Sequence, residues 1–488
     1  MLKKAALTVL VLLVAFVGIL GVRTLMFSSK QMDVDPVPEL AVDAAAAAER
    51  LAVAVTFKTV SYQDPAAFEA DQFEGLNAFL ERSFPRVHKT LRLERVNEWS
   101  LLYTWEGSDA SLDPILLMGH TDVVPVVAES ADDWEREPFG GMIHDGFVHG
   151  RGTLDDKGNV MAIFEAVELL LAEGAAPKRT VYLAFGHDEE VGGERGAVAI
   201  AALLAERGVR AAMVLDEGGA VVSNALPGIE APVASIGVAE KGYLSVNLTV
   251  RTPGGHSSQP PSSTAIGVLS EAVSRLEANQ MPGGIGPLVA GMFDYIGPEM
   301  PFGMRAMLAN LWLTRPLVES QLGGSTLMNA FMRTTTAPTI FQAGVKDNVL
   351  PPEATATVNF RILPGDTRES VLAHVTRVVA DERVVVEADL GFSSDPSAVS
   401  PSEGWAFETI ARTVRQTMPE VVVTPYLVVA GTDARHYEGV SEHIYRFSPM
   451  ALEGDDLARI HGTNERVSVE GYGAMIRYFH RLIMNAAL

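Results

Sequence analysis

Apolar runs and helical stretches alternate along most of this chain, starting near residue 40. Apolar residues at helical spacing predict helices at 44–57, 159–173 and 193–207, and continuous apolar runs predict strands at 114–118, 180–185 and 211–215. This order is typical of an α/β fold in which helices cover both faces of a sheet.

The pattern changes near residue 240. Residues 245–250 and 354–362 alternate between apolar and polar side chains, as half-exposed antiparallel strands do. We therefore predict an inserted α+β domain within an otherwise continuous α/β fold. The predicted divisions are 40–239 for the first part of the catalytic domain, 240–390 for the insertion and 391–488 for the second part.

The first 26 residues form a separate apolar segment. Lys3 and Lys4 precede eighteen uncharged residues, Ala5 to Val22, and Arg23 follows them. At 1.5 Å per residue this stretch is about 27 Å long, close to the thickness of a bilayer core of about 30 Å. We predict a membrane anchor that leaves the rest of the chain outside the cytoplasm, in a periplasm or lumen, with 27–39 as a tether. A signal peptide that is cleaved to release a secreted protein is the alternative.

Composition restricts the partners and the ligand types. Lys and Arg number 38 and Asp and Glu number 61, so the net charge of −23 argues against nucleic acid or an anionic membrane surface as the main partner. The chain has no cysteine, so any metal must be bound by His, Asp and Glu.

Polar residues follow each predicted strand. His120 follows the first, Glu189 and Glu190 follow the second, and Asp216 and Glu217 follow the third. Ligand sites in open α/β sheets lie beyond the carboxyl ends of the strands, so we expect these groups to converge. Further acidic or histidine-bearing clusters occupy 150–158 and 459–468. Burial of so many carboxylates requires a compensating cation, which predicts a metal site.

These clusters belong to longer motifs, which include GHTDVVPV (119–126), GRGTLDDKG (150–158), AFGHDEEVGG (184–193), GHSSQPP (255–261) and RIHGTNE (459–465). In this combination the chain resembles the two-zinc aminoacylase and carboxypeptidase family. Within that family it is most similar to the branch of carboxypeptidase S and the secreted N-fatty-acyl-amino-acid hydrolase/synthase. The resemblance extends from about residue 50 to 480 and implies a mixed sheet flanked by helices, with an inserted lid or dimerisation domain.

The resemblance implies five ligands for two Zn²⁺ ions, with Asp155 bridging them: His120, Asp155, Glu190, Asp216 and His461. It also implies Glu189 as the general base, since two zinc ions activate a shared water near neutral pH. Asp122 would orient His120, because alternation places both on one side of the chain. Related enzymes use either residue of the Asp216-Glu217 pair, and we choose Asp216. A cis peptide bond between Asp155 and Asp156 is a further implied feature.

Four more residues are implied outside the metal cluster. His256 would donate to the oxyanion, often from a neighbouring subunit, which predicts a homodimer, and Asn348 would assist it. Arg361 would bind a substrate carboxylate through its guanidinium fork. Arg435 is a second candidate for that role, although a surface ion pair is equally consistent with its sequence context. The stretch 281–313 is a candidate lining for a long acyl chain.

We therefore predict a zinc-dependent hydrolase that cleaves an amide bond beside a free carboxylate, either a C-terminal peptide bond or an N-acyl amino acid. The alternative is a catalytically inactive, membrane-tethered binding protein with the same fold.

Overall fold

The computed structural model describes residues 2–35, 37–224 and 228–488. The described helices are α1 Leu2–Met26, α2 Ala44–Val55, α3 Ala70–Ser83, α4 Pro85–Thr90, α5 Lys157–Ala172, α6 Ala197–Glu206, α7 Ala265–Ala278, α8 Pro287–Ile296, α9 Phe302–Ala309, α10 Leu311–Leu322, α11 Thr326–Met332, α12 Arg368–Val379, α13 Trp405–Thr417 and α14 Val469–Ala487. The described strands are β1 Arg92–Val96, β2 Ser100–Trp105, β3 Ile115–His120, β4 Met142–His144, β5 Phe147–His149, β6 Val181–Gly186, β7 Met213–Asp216, β8 Val221–Val222, β9 Val233–Glu240, β10 Gly242–Arg251, β11 Gly255–His256, β12 Thr335–Ala343, β13 Val349–Leu350, β14 Glu353–Ile362, β15 Val384–Ser394, β16 Val422–Val428, β17 Ile444–Arg446, β18 Ala451–Leu452 and β19 Arg466–Ser468.

The larger sheet is mixed, and its strands follow the order β1-β2-β6-β3-β7-β17-β9-β8-β18, with β16 also paired to β9. The central strand β3 runs parallel to both β6 and β7, and β7 runs parallel to β17. All six residues of β3 are buried, which explains its continuous apolar sequence. The predicted mixed α/β sheet is therefore confirmed.

Helices cover both faces of this sheet. Ile115 and Leu117 point into a core shared with α2, α5, α13 and α14, whereas Leu116 and Met118 point into a core shared with α6. This division follows from the two-residue period of a strand, which sends neighbouring side chains to opposite faces. The outcome is a three-layer arrangement of helices, sheet and helices.

The smaller sheet is antiparallel in the order β12-β14-β10-β15. Strand β14 alternates regularly between buried and less buried residues, and α7 and α12 cover its buried face. The alternation predicted for 245–250 and 354–362 thus corresponds to β10 and β14, although each strand is longer than predicted.

Helices α8 to α11 do not pack on this smaller sheet. Val289, Met292 and Phe331 instead form a core with Val233 of β9 and Leu427 of β16, both in the larger sheet. The insertion at 240–390 stays a prediction, and within it the helical segment α8 to α11 is apolar on the side that faces the larger sheet. A separate unit at this position remains a proposal for the small sheet with α7 and α12 alone.

Helix α1 has 25 residues and is the one helix in the described part of the chain that is long and apolar enough to cross a membrane. Its carboxyl end contacts the region of α9 and α10. The Arg23 Nε donates to the Ala309 carbonyl at 3.4 Å, and the Asn310 amide donates to the Leu20 carbonyl at 3.3 Å.

Candidate metal centre

Three parallel neighbouring strands deliver acidic and histidine side chains to one edge of the larger sheet. His120 is the last residue of β3, Glu189 and Glu190 begin a short turn three residues after β6, and Asp216 ends β7. Because β3 lies between β6 and β7, the carboxyl ends of these strands meet. The convergence expected from the sequence is present.

Asp155 lies between two histidines. The His120 Nε2 is 3.0 Å from Asp155 Oδ1 and 3.4 Å from Glu217 Oε1. The His461 Nε2 is 3.0 Å from Asp155 Oδ2 and 3.2 Å from Glu190 Oε2. One carboxylate thus presents one oxygen to each of two His–carboxylate groups, which is the arrangement required of a bridging ligand.

Asp122 fixes the orientation of this cluster. The His120 Nδ1 lies 3.0 Å from the Asp122 carbonyl and 3.3 Å from Asp122 Oδ1. The backbone N–H groups of Glu189 and Glu190 each donate to the Asp122 carboxylate at 3.1 Å. A single buried carboxylate therefore positions both the imidazole and the neighbouring glutamate pair, as partners of metal ligands commonly do.

The structure places Glu217, and not Asp216, beside His120. The Asp216 Oδ2 is buried without a hydrogen-bond partner. Glu217 lines the same cavity as Asp155. Asp216 stays a prediction from the resemblance, and the position of Glu217 makes that residue the alternative ligand of the pair.

The electrostatics of the cluster favour a bound cation. Burial raises the pKa of Glu217 to about 7 and also raises the pKa of Glu190. Hydrogen bonds to Asp155 and Glu190 raise the pKa of His461 to about 10. Among the described residues, the Glu190 Oε1 is buried without a hydrogen-bond partner. Several buried carboxylates compensated only by two imidazoles suit divalent metal ions with N and O ligands.

A second buried carboxylate, Glu465, supports the loop that carries Asp155. It accepts hydrogen bonds from the backbone N–H groups of Gly152, Leu154 and Asp155 at 3.0, 2.7 and 3.2 Å. Its other oxygen accepts from Arg151 Nη1 at 2.7 Å. Sequence reasoning assigned Glu465 no role, although it ends the motif RIHGTNE.

Arg151 joins the loop that carries Asp155 to the loop that carries His461. Its Nη2 donates to the carbonyl of His461 at 3.4 Å and to that of Gly462 at 2.9 Å. His461 has a φ of 59°, a left-handed conformation that is costly for a residue with a side chain and needs such support. The peptide bond between Asp155 and Asp156 is cis, as the resemblance implied.

A cavity of about 510 Å³ opens beside the cluster. Asp155, Glu189, Glu217 and His461 line its polar end. Its apolar wall includes Met292, Leu327, Met328, Phe331, Tyr426 and Leu457. The structure records no hydrogen bond to the Glu189 carboxylate from any described residue, so this group faces the cavity with its oxygens available.

The residues predicted from the smaller sheet region lie elsewhere. His256 and Asn348 are exposed at the two-stranded ribbon of β11 and β13, and neither is among the described residues that line the cavity. The Arg361 guanidinium lies over the Tyr243 ring at 4.8 Å. Burial and the nearby charge of Arg435 lower the pKa of Arg361.

Arg435 is not a surface residue, since its side chain is only 16% exposed. Its Nη1 lies 3.9 Å from Glu240 Oε1, and Glu240 already pairs with Arg446 at 3.0 Å. An ion pair at the surface therefore does not describe Arg435. The guanidinium groups of Arg435 and Arg361 are both partly buried and close enough for their charges to interact.

Comparisons with known proteins agree with this geometry. The family model described as peptidase family M20/M25/M40 matches residues 116–485. The N-fatty-acyl-amino acid synthase/hydrolase of Homo sapiens is 44% identical over 415 residues, which cover 84% of this chain and 81% of that protein. The Dictyostelium discoideum protein named "Probable carboxypeptidase S-like 2" is 42% identical over 484 residues, covering 97% of this chain and 92% of that protein.

Among solved structures, an M20 family metallo-carboxypeptidase from Sulfolobus solfataricus has the same fold, with a TM-score of 0.65 at 18% identity over 91% of this chain and 99% of that one. The predicted family is confirmed: this chain belongs to peptidase family M20/M25/M40 and is a metal-dependent amide hydrolase.

Proposed function

We propose that this chain is a two-zinc hydrolase that releases the amino acid from N-acyl amino acids carrying a long apolar acyl group. The proposal rests on one observation: the cavity beside the metal cluster has Glu189 at one end and an apolar wall at the other. Cleavage of a C-terminal peptide bond is the second candidate, supported by the identity with the carboxypeptidase S-like relative.

In the proposed centre, His120, Asp155 and Glu217 would hold one zinc ion, and His461, Asp155 and Glu190 would hold the other. These donors suit zinc, which takes imidazole nitrogen and carboxylate oxygen when thiolates are absent. Zinc in such a pair would lower the pKa of a coordinated water and polarise the substrate carbonyl. Asp122 holds His120 and the Glu189-Glu190 backbone in place throughout.

Glu189 is the proposed general base. Burial raises the pKa of Glu189 well above its usual value. A carboxylate whose pKa is raised towards the working pH accepts a proton from water more readily than an ordinary one, and its acid form could then pass that proton to the leaving nitrogen. Its oxygens face the cavity, where both transfers take place.

Arg361 and Arg435 are the proposed anchors for the substrate carboxylate. Neither has a close bidentate carboxylate partner among the described residues, and both are largely buried. Two desolvated guanidinium groups without full compensation favour an incoming anion. The amino acid portion of the substrate would then be fixed by its carboxylate, with the acyl chain directed along the apolar wall.

A panel of substrates tests this assignment. We expect kcat/KM to rise from N-acetyl to N-octanoyl to N-oleoyl derivatives of one amino acid, because longer chains bury more surface against Phe331 and its neighbours. Replacing the free carboxylate by a carboxamide should lower kcat/KM by about tenfold to a hundredfold through lost charged hydrogen bonds. A chelator-treated sample provides the control. A preference for dipeptides over every acyl amino acid would favour the second candidate instead.

His256 is proposed to stabilise the oxyanion in the active site of a second subunit, with Asn348 beside it. The Ser258 backbone N–H donates to His256 Nδ1 at 3.1 Å, so a neutral imidazole carries its proton on Nε2. That N–H belongs to an exposed residue of the β11–β13 ribbon, which is not among the described residues that line the cavity of its own chain. A homodimer in which the ribbon of one subunit reaches the cavity of the other is the arrangement that uses it.

Mixing two inactive variants tests this exchange. Dimers that combine His256→Ala in one subunit with Glu189→Gln in the other contain one intact site if His256 acts across the interface. Random reassociation of equal amounts should then restore about one quarter of the wild-type rate, as expected for a two-fold symmetric dimer. Matched mixtures of either variant with itself are the controls. No recovery in mixtures whose subunits have demonstrably exchanged would contradict the proposal.

Helix α1 is proposed as an uncleaved anchor that places the catalytic body outside the cytoplasm. Its length and apolar composition support a role as a membrane-spanning anchor. Lys3 and Lys4, near its amino end, support the proposed orientation.

A further inference from the structure

Helices α9 to α11 expose an unusual number of large apolar side chains. Phe302, Trp312, Leu317 and Leu327 are 68%, 56%, 53% and 48% exposed. Leu313 and Leu317 lie one turn apart on α10 and are both exposed. We call the surface formed by Phe302, Trp312, Leu313, Leu317 and Leu327 the α9–α11 apolar face. Exposed large apolar side chains concentrated on neighbouring helices often mark a contact with a membrane or a protein.

The charge of this segment differs from that of the whole chain. Residues 302–332 carry two arginines and one glutamate, which gives a net charge of 2 − 1 = +1, whereas the chain as a whole carries −23. The segment thus lacks the acidic excess that would repel an anionic lipid surface.

The apolar face is continuous with α1. The Phe16 ring meets the Trp312 ring edge-on, with centroids 6.1 Å apart. Phe16 precedes Arg23 by seven residues, which is about 10 Å along a helix axis. Trp312 therefore lies alongside the apolar stretch of α1, roughly 10 Å before its charged end. Interfacial helices insert about 5–10 Å into a bilayer, and Trp is enriched at that depth.

We propose that the α9–α11 apolar face docks onto the bilayer that α1 crosses, with Trp312 inserted at the lipid interface. The contact between α1 and this face restricts the position of the face relative to the bilayer. If α1 crosses the bilayer, Trp312 lies beside it at the same depth. Leu327 belongs both to the apolar face and to the cavity wall. The cavity would thus receive the acyl chain of an amphipathic substrate directly from the membrane, a consequence that rests on the proposed function.

Lipid-dependent quenching of tryptophan fluorescence tests the docking itself. The full chain is reconstituted into phosphatidylcholine vesicles with and without doxyl-labelled acyl chains, and its intact mass is verified. Wild-type protein is compared with Trp312→Phe, which keeps an aromatic ring against Phe16, and with Trp405→Phe as a matched control. Trp405 is 43% exposed but lies on α13, over Arg179.

We expect doxyl lipid to quench wild-type fluorescence, Trp312→Phe to lose most of that quenching and Trp405→Phe to retain it. Equal quenching in wild type and Trp312→Phe would overturn the proposal. Quenching of Trp312 by aqueous acrylamide but not by doxyl lipid would also overturn it. Protection of Trp312 from both quenchers by a second copy of the chain, or cleavage of the chain after α1, would do the same. The readout does not depend on turnover, so an inactive protein with quenched Trp312 would refute the proposed function and leave the docking intact.

Discussion

Replacing Glu189 by Gln should abolish most amide hydrolysis while leaving the bound metal in place. Glutamine keeps the shape of the side chain but cannot accept the proton of the attacking water. Removal of a general base lowers kcat by roughly 10²–10⁴-fold. Because Glu189 is not among the groups that contact His120 or His461, zinc content per chain should match that of the wild type.

Glu194 supplies the matched control for this variant. It lies on the same loop, is exposed and has no ion-pair partner among the described residues. Glu194→Gln should keep both the wild-type rate and the metal content. Wild-type turnover in Glu189→Gln, or loss of zinc from it, would contradict the role of Glu189 as a base.

Replacing Glu217 by Gln should cost the chain one of the two proposed zinc ions and nearly all of its activity. Glu217 is the carboxylate next to His120 in one half of the cluster, and an amide is a poor ligand for zinc. Elemental analysis after zinc-replete purification, together with kcat, provides the measurement.

Asp216→Asn is the comparison that makes this result informative. Asp216 is not among the described carboxylates that lie beside His120 or His461, so its replacement by an amide removes none of the proposed ligands. We expect Asp216→Asn to retain both zinc ions and most of the activity. The reverse pattern, with metal lost from Asp216→Asn and kept by Glu217→Gln, would restore Asp216 as the ligand.

The ambiguity between Asp216 and Glu217 shows where sequence reasoning reaches its limit. The apolar run before them identifies a strand, and strand ends in such folds carry ligands. Which of the two adjacent carboxylates approaches an imidazole depends on the path of the chain where β7 ends. That path places the Glu217 Oε1 3.4 Å from His120 Nε2, and the sequence of the pair does not predict it.

The central sheet was predictable because its strands are buried on both faces and their sequences are continuously apolar. His120 and Glu190 were predictable for the same reason, since His120 ends such a strand and Glu190 lies four residues after one. Glu465 was not, because its partners are backbone N–H groups more than three hundred residues earlier in the chain. Helices α8 to α11 were assigned to the insertion by their position in the sequence, whereas their apolar residues pack on β9 and β16.

His256 illustrates a different limit. A residue that acts across a subunit interface lies far from the site in its own chain, so neither sequence spacing nor the structure of one subunit brings it to the metal cluster. Its exposed position on β11 is compatible with such a role, and only exchange between subunits tests it.

Amide hydrolysis by this chain is proposed to depend on two zinc ions held around Asp155. A chelator strips the metal, and zinc is titrated back while release of the amino acid from an N-oleoyl amino acid is followed. We expect no turnover without metal and full recovery at two equivalents of zinc per chain. Full turnover by the stripped chain, or no cleavage by the chain with both zinc ions bound, would contradict it.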